Sequence, residues 1–214
     1  MIRKIKRKLG RTFKRWRRNK TVVLMAILTV LFLCVFIYTT YMQNKRLMVN
    51  PTTYAPLLQL VAKVESKGNY NAYFGNARNS EVDFTAMSVA DVMQWQADYV
   101  QQGSASSAVG KYQIIDTTLA GLVKQLRIDT NKLFDEALQD RLAIALLERR
   151  GAIDYVNNEL TRDEFAANLA KEWAALPKLS GENPQDSYYA SDGLNKALVG
   201  VDEVRRAIEP IRPL

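Results

Sequence analysis

The chain contains no histidine. That absence removes Ser-His-Asp and Cys-His nucleophile systems, imidazole proton transfer and the HExxH zinc motif. Cysteine is nearly as scarce. The single one, Cys34, lies inside an apolar run, so no intrachain disulfide can form and a cysteine-rich zinc site is excluded. Any proton transfer must therefore fall to Asp, Glu, Lys or Tyr. Acids are missing from residues 1–20, which hold eleven of the 30 Lys and Arg residues. The remaining 19 basic residues face 22 acidic ones, so positions 21–214 are mildly acidic in spite of a net charge of +8. A basic nucleic-acid-binding face on the main domain is not expected.

Charge is also absent from Thr21 to Met42, TVVLMAILTVLFLCVFIYTTYM. At a helical rise of 1.5 Å per residue such a run spans roughly 33 Å, enough for a hydrocarbon core of about 30 Å. Trp16, Tyr38 and Tyr41 flank it as interfacial aromatics do. A cleaved signal peptide has a shorter apolar region ending in small residues, whereas this run leads into Tyr-Thr-Thr-Tyr-Met-Gln-Asn. The expectation is a retained single-pass anchor at 21–42. It follows a basic inner tail at 1–20 and precedes a polar linker at 43–51. The positive-inside rule places the N-terminus in the cytoplasm, or inside a virion membrane, and the main domain on the periplasmic or outer side. The tail can act as a topology signal alone, or also touch anionic lipid or nucleic acid.

Residues 52–214 are of single-domain size and read as mostly helical. Helices are expected over Tyr54–Ser66, Ser88–Gln101, from Asp116 onward, over Asp135–Arg150 with Gly151 as its terminating turn, from the capping box Thr161-Arg162-Asp163-Glu164 to Pro177, and over about Asp192–Ile208. Between the first two lies Lys67–Met87, rich in Asn, Gly and Tyr, where a short hairpin fits. The expected class is α+β, dominated by helix.

Glu65 ends a helix whose preceding turn is apolar, with Ser66-Lys67-Gly68 after it. Partial burial and the negative end of the helix dipole both raise a carboxyl pKa, and a carboxyl protonated near neutral pH can donate a proton to a glycosidic oxygen. The plain alternative is a solvated helix end. A second segment, Ser104 to Gln113, is a small-residue loop ending in Gly110-Lys111-Tyr112-Gln113. Gly110 lets a ligand or backbone approach closely, while Tyr112 and Gln113 offer an apolar face and an amide suited to an N-acetylated sugar. Its plain alternative is an ordinary turn before a helix.

Taken together, Glu-Ser-x-Gly at 65–68 and Gly-Lys-Tyr-Gln-Ile at 110–114 resemble the motifs of lytic transglycosylases, above all those of the lambda-type phage lysozymes. Three further segments match that pattern in order: Gln139-Asp140-Arg141-Leu142-Ala143, Arg150-Gly151 and Trp173-Ala174-Ala175-Leu176-Pro177. Asp83 to Gln94 resembles a stretch in related phage-borne muramidases. The likeness covers about residues 53–190. It implies a lysozyme-like fold acting on peptidoglycan without cofactor or metal. Glu65 would stand at the catalytic position, with Ser66, Gly110, Tyr112 and Gln113 along the glycan cleft. Tyr188 or Tyr189 would correspond to a family tyrosine near the acid. Trp173 is expected to pack in the core. A hydrolase needs a second carboxylate, and Asp83 is the candidate, with a turn or cap as its alternative role. The transglycosylases need none. The rival to an enzyme is a membrane or virion protein whose domain only binds cell wall.

Overall fold

The computed structural model describes residues 20–41, 51–193 and 195–211. The basic tail before Lys20 and the connector at 42–50 lie outside the described residues. Two units are resolved, one within residues 1–48 and one within 49–214.

In the first unit, a 22-residue helix, α1, runs over Lys20–Tyr41 with a mean hydropathy of 2.8. It is long and apolar enough to cross a bilayer. Its threonines do not interrupt it, because their hydroxyls bond back to the helix. Thr29 donates to the Met25 carbonyl at 2.8 Å, and Thr40 to that of Phe36 at 2.8 Å. Such back-bonding satisfies a hydroxyl without water.

The second unit is mainly helical. Its elements are α2 (Ala55–Ser66), α3 (Val89–Gln101), α4 (Asp116–Leu126), α5 (Glu136–Arg149), α6 (Ala152–Val156), α7 (Arg162–Ala170) and α8 (Val201–Ile208), with short 3-10 turns between some of them. Local chemistry starts several of these helices. The Ser88 side chain accepts from the Asp91 N–H at the head of α3, and Asp135 accepts from that of Leu138 at the head of α5. The Thr161/Glu164 capping box opens α7 with both reciprocal bonds made. Each such cap stabilises its helix by about 1 kcal/mol. Asp116 is the first residue of α4 and, unlike these caps, accepts from the Ser107 hydroxyl.

Three expectations are corrected. The helix opened by the capping box ends at Ala170, before Trp173, and Pro177 pairs in an isolated bridge with Ser187. The last helix begins at Val201 rather than near Asp192. Gly193 there takes a left-handed conformation at φ +73°, which ends a 3-10 turn over Ala190–Asp192. No extended strand forms among the described residues. The β content of the Lys67–Met87 region and the loop beyond α3 reduces to isolated bridges, Tyr73 with Asn76 and Val109, and Val109 with Ile114. Asn-rich turns satisfy their backbone through side chains instead, as when Asn79 accepts from the N–H groups of Glu81 and Val82.

One core joins these helices. Leu57 and Val61 of α2 are fully buried among Leu119 and Leu122 of α4, Leu142 and Leu147 of α5, Phe165 and Leu169 of α7, and Val204 and Ile208 of α8. Each such side chain stabilises the fold by about 1.5–3 kcal/mol. Helix α8 packs on α2 and α7, which clamps the helix that carries Glu65. The Arg205–Asp163 fork, at 2.6 and 2.9 Å, ties α8 to α7 at the surface, where ion pairs add little to packing.

Candidate active site

Helix α2 stops where Lys67 turns left-handed at φ 58° and Gly68 follows at φ +82°. Both return their N–H groups to the Ala62 carbonyl. Glu65 is therefore presented one residue before the helix end. It is half-buried, and one carboxyl oxygen lies 3.4 Å from the Ala175 N–H. Burial pushes its pKa from 4.5 up to about 7, outweighing the Ala175 hydrogen bond, which acts the other way. Near neutral pH a large share of this carboxyl keeps its proton.

Because the folded-state pKa stands above the unfolded value of 4.5, the folded protein binds this proton more tightly than the unfolded chain. Its contribution is fully present below pH 4.5 and is lost as pH rises through about 7. Wild-type protein should lose roughly 3 kcal/mol of stability relative to Glu65→Gln between those limits. Urea melts of both proteins at pH 4.5 and 8 measure this. Parallel curves at both pH values would show that the carboxyl is not desolvated.

Ser66 is fully buried and donates to the Lys111 carbonyl at 2.7 Å. This bond fixes the second motif against the end of α2. That second motif is braced from several sides. Gly110 donates to the Ala72 carbonyl at 2.8 Å, and Lys111 N–H donates to the Gln139 side-chain oxygen at 2.9 Å. The Gln139 amide nitrogen donates in turn to the Tyr70 and Phe134 carbonyls. The base of the loop is closed by Gln96 of α3, whose nitrogen reaches the Ser107 and Ile114 carbonyls at 2.8 and 2.9 Å.

Tyr112 is buried and donates to Asp140 at 2.7 Å. Burial first, and the Asp140 carboxylate second, hold its phenol protonated, well above the ordinary tyrosine range. Trp173, buried as expected, donates its indole N–H to the Tyr112 carbonyl at 3.1 Å. Gln113 sits half-buried in a left-handed conformation at φ 48°, with its side-chain amide on the Gly110 carbonyl at 2.9 Å. Tyr112, Gln113, Trp173 and Tyr189 line a cavity of about 210 Å³.

This separates the two candidate tyrosines. Tyr189 lines the cavity and donates to the Lys171 carbonyl at 2.8 Å, whereas Tyr188 is 51% exposed and meets the Tyr189 ring edge-on. Asp83 is exposed and caps the 3-10 turn Phe84–Ala86, accepting from the N–H and hydroxyl of Thr85. Those hydrogen bonds, the Thr85 hydroxyl first, hold its pKa below the usual carboxylate value.

Sequence reasoning missed Gln96, and it picked out Gln139 and Asp140 as part of a matching segment without giving them their bracing role. A signal existed for Gln139: an amide in register with Leu142, Ala143 and Leu146 on the buried face of α5. A polar group at such a position must find partners.

A family model described as Endolysin matches residues 57–196. Comparison with curated proteins and with solved structures found no match. The matched span runs from the first turn of α2 to beyond Tyr189 and so contains Glu65, the Gly110–Gln113 loop and their braces. With well over half of its length covered by that model, the chain belongs to the endolysin family.

Proposed function

We propose that the domain is a peptidoglycan lytic transglycosylase with Glu65 as its acid and then its base. Endolysin membership carries cell-wall degradation. The observation that supports the finer reading is the contrast between two carboxyls: Glu65 desolvated with its pKa near 7, Asp83 exposed and engaged in capping.

Protonated Glu65 donates to the oxygen linking N-acetylmuramic acid to N-acetylglucosamine, and the C1–O bond breaks. The muramic acetamido oxygen stabilises the positive charge at C1. The Glu65 carboxylate then accepts the C6 hydroxyl proton as that oxygen bonds to C1. A 1,6-anhydro sugar forms, Glu65 regains its proton, and no water is consumed. The Gly110–Gln113 loop holds the glycan, with Gln113 and Tyr189 facing it and Ser66 fixing the loop in place.

In the same reading α1 anchors the enzyme in a bacterial inner membrane or a virion membrane. Its length and apolarity support this, and the eleven basic residues of positions 1–20, the last of them opening α1, favour an inside N-terminus. The enzyme then opens wall locally from the outer side.

Mass spectrometry of muropeptides released from purified sacculi tests the chemistry. The expected products end in 1,6-anhydro-N-acetylmuramic acid, one water lighter than hydrolytic ends, and Asp83→Asn keeps activity within about threefold, as a surface cap should. Reducing ends, together with an inactive Asp83→Asn protein, would make the enzyme a two-carboxylate hydrolase.

A further inference from the structure

The cavity beside Gln113 carries charge that the acid–base step does not use. Arg149, Arg150, Lys171 and Glu172 line it along with Gln113 and Tyr189. Glu172 is nearly buried, its side chain 6% exposed, and it holds both guanidiniums: Arg149 Nη2 at 2.9 and 3.0 Å, and Arg150 Nε at 2.7 Å. Arg150 Nη2 donates to the Lys171 carbonyl at 3.0 Å, and Lys171 Nζ donates to the neutral Asn168 amide oxygen at 3.1 Å.

Two guanidiniums thus share one carboxylate, and the Lys171 ammonium beside them rests on a neutral amide, in a segment where acids outnumber bases. Two guanidiniums pressed against a single carboxylate repel each other, and a second anion relieves that repulsion. Planar guanidinium donors match a carboxylate in particular. The wall includes Gln113 and Tyr189, which the proposed function turns toward the glycan. Trp173, also in the wall, lies two residues from Ala175, whose N–H touches Glu65.

We propose that the cavity is a carboxylate subsite, in which Arg149, Arg150 and Lys171 bind a carboxylate borne by the muramic acid residue, on its lactyl ether or on the peptide stem attached there. The inference rests on the peptidoglycan reading above. It adds a specificity element: recognition of muramic acid by its charge, and discrimination against glycans of N-acetylglucosamine alone.

The test measures binding to the full-length Glu65→Gln protein in detergent, which does not consume its ligand, and cleavage by the wild type. Three probes are used. Stem-bearing strands carry stem carboxylates, amidase-stripped strands carry the free lactyl carboxylate, and N-acetylglucosamine oligomers of equal length carry neither. The expected result is at least about tenfold tighter binding of a carboxylated strand than of the neutral oligomer, a preference that Arg149→Met/Lys171→Met reduces to near one. Tighter binding of stem-bearing strands assigns the carboxylate to the stem, and of stripped strands to the lactyl group.

Lys171→Met alone removes no partner of Glu172, so it folds even if the double variant does not. It should lower the preference about threefold. Lys124→Met/Lys132→Met removes two exposed charges away from the cavity and should leave the preference intact. No preference in the parent, persistence of the preference in the cavity variants, or equal loss in the Lys124/Lys132 control would overturn the subsite. Failure of wild-type protein to cleave any probe, with the binding preference present, would instead defeat the proposed function and leave the subsite standing.

Discussion

Glu65→Gln protein is expected to fold, to bind peptidoglycan and to cleave it about 10²–10⁴-fold more slowly than wild type, the usual contribution of a positioned general acid. The amide matches the carboxyl in shape, and its oxygen can still accept from the Ala175 N–H, which lies 3.4 Å from Glu65. What it lacks is a transferable proton. In the proposed reaction one group performs both transfers, to the leaving oxygen and from the C6 hydroxyl, so a single substitution removes both. The fold has no reason to suffer. Wild-type Glu65 is a desolvated acid with a pKa near 7, and a neutral amide in its place avoids burying a charge at higher pH. The variant should therefore be as stable as wild type at low pH and more stable at high pH. Turbidity clearance of sacculi and pull-down of the protein on the same sacculi measure activity and binding separately. Retained clearance by Glu65→Gln would defeat both the transglycosylase and the hydrolase versions of the site.

Gly110→Ala is expected to lower stability by about 3 kcal/mol, a fall in Tm of roughly 10 °C for a domain of this size. Two effects add. Gly110 is held at φ +78°, where an L side chain is strained. A Cβ there would also collide with the Gln139 side-chain oxygen and crowd the Phe134 ring at 3.2 Å. Gln139 cannot yield cheaply, since it is fully buried and its amide joins Lys111, Tyr70 and Phe134. Displacing it strands buried polar groups, which costs about 1–3 kcal/mol each. The same displacement moves Lys111 and with it Gln113, so cleavage should fall more than stability alone predicts at temperatures below the melt. Gly121→Ala provides the contrast. Gly121 lies within α4 with open space where its Cβ would stand, and alanine there should stabilise by up to about 1 kcal/mol. Thermal melts of the two variants side by side decide the point. A Gly110→Ala protein that melts with the wild type would mean that the loop relaxes freely and that Gln139 does not fix it.

The signals that the sequence carried unaided are those written within one or two helical turns. The uncharged run before the connector folds as α1, because length and apolarity are local properties. Ser88, Asp135 and the Thr161/Glu164 pair start their helices, because a cap bonds an N–H only two or three residues away. The end of α2 just after Glu65 was legible for the same reason. Trp173 is buried as expected, although it lies beyond the end of α7. The limits were equally local. The final helix, expected from about Asp192, begins only at Val201, after glycines at 193 and 200, and the turn-rich segment that suggested a hairpin forms only isolated bridges.

Tertiary structure alone decided what surrounds the acid. The group that touches Glu65 is the backbone of Ala175, 110 residues away, and Ser66 reaches Lys111 across 45 residues. Sequence spacing could nominate Ser66 for the glycan cleft. Only packing shows it buried and spent on the loop. It likewise separates Tyr189, in the cavity wall, from its neighbour Tyr188, and turns Asp83 to a cap. The physical reason is the same in each case. A pKa, a hydrogen-bond partner or a cavity wall depends on which atoms exclude water from a group, and in this domain those atoms come from segments that only the common core of α2, α4, α5, α7 and α8 brings together.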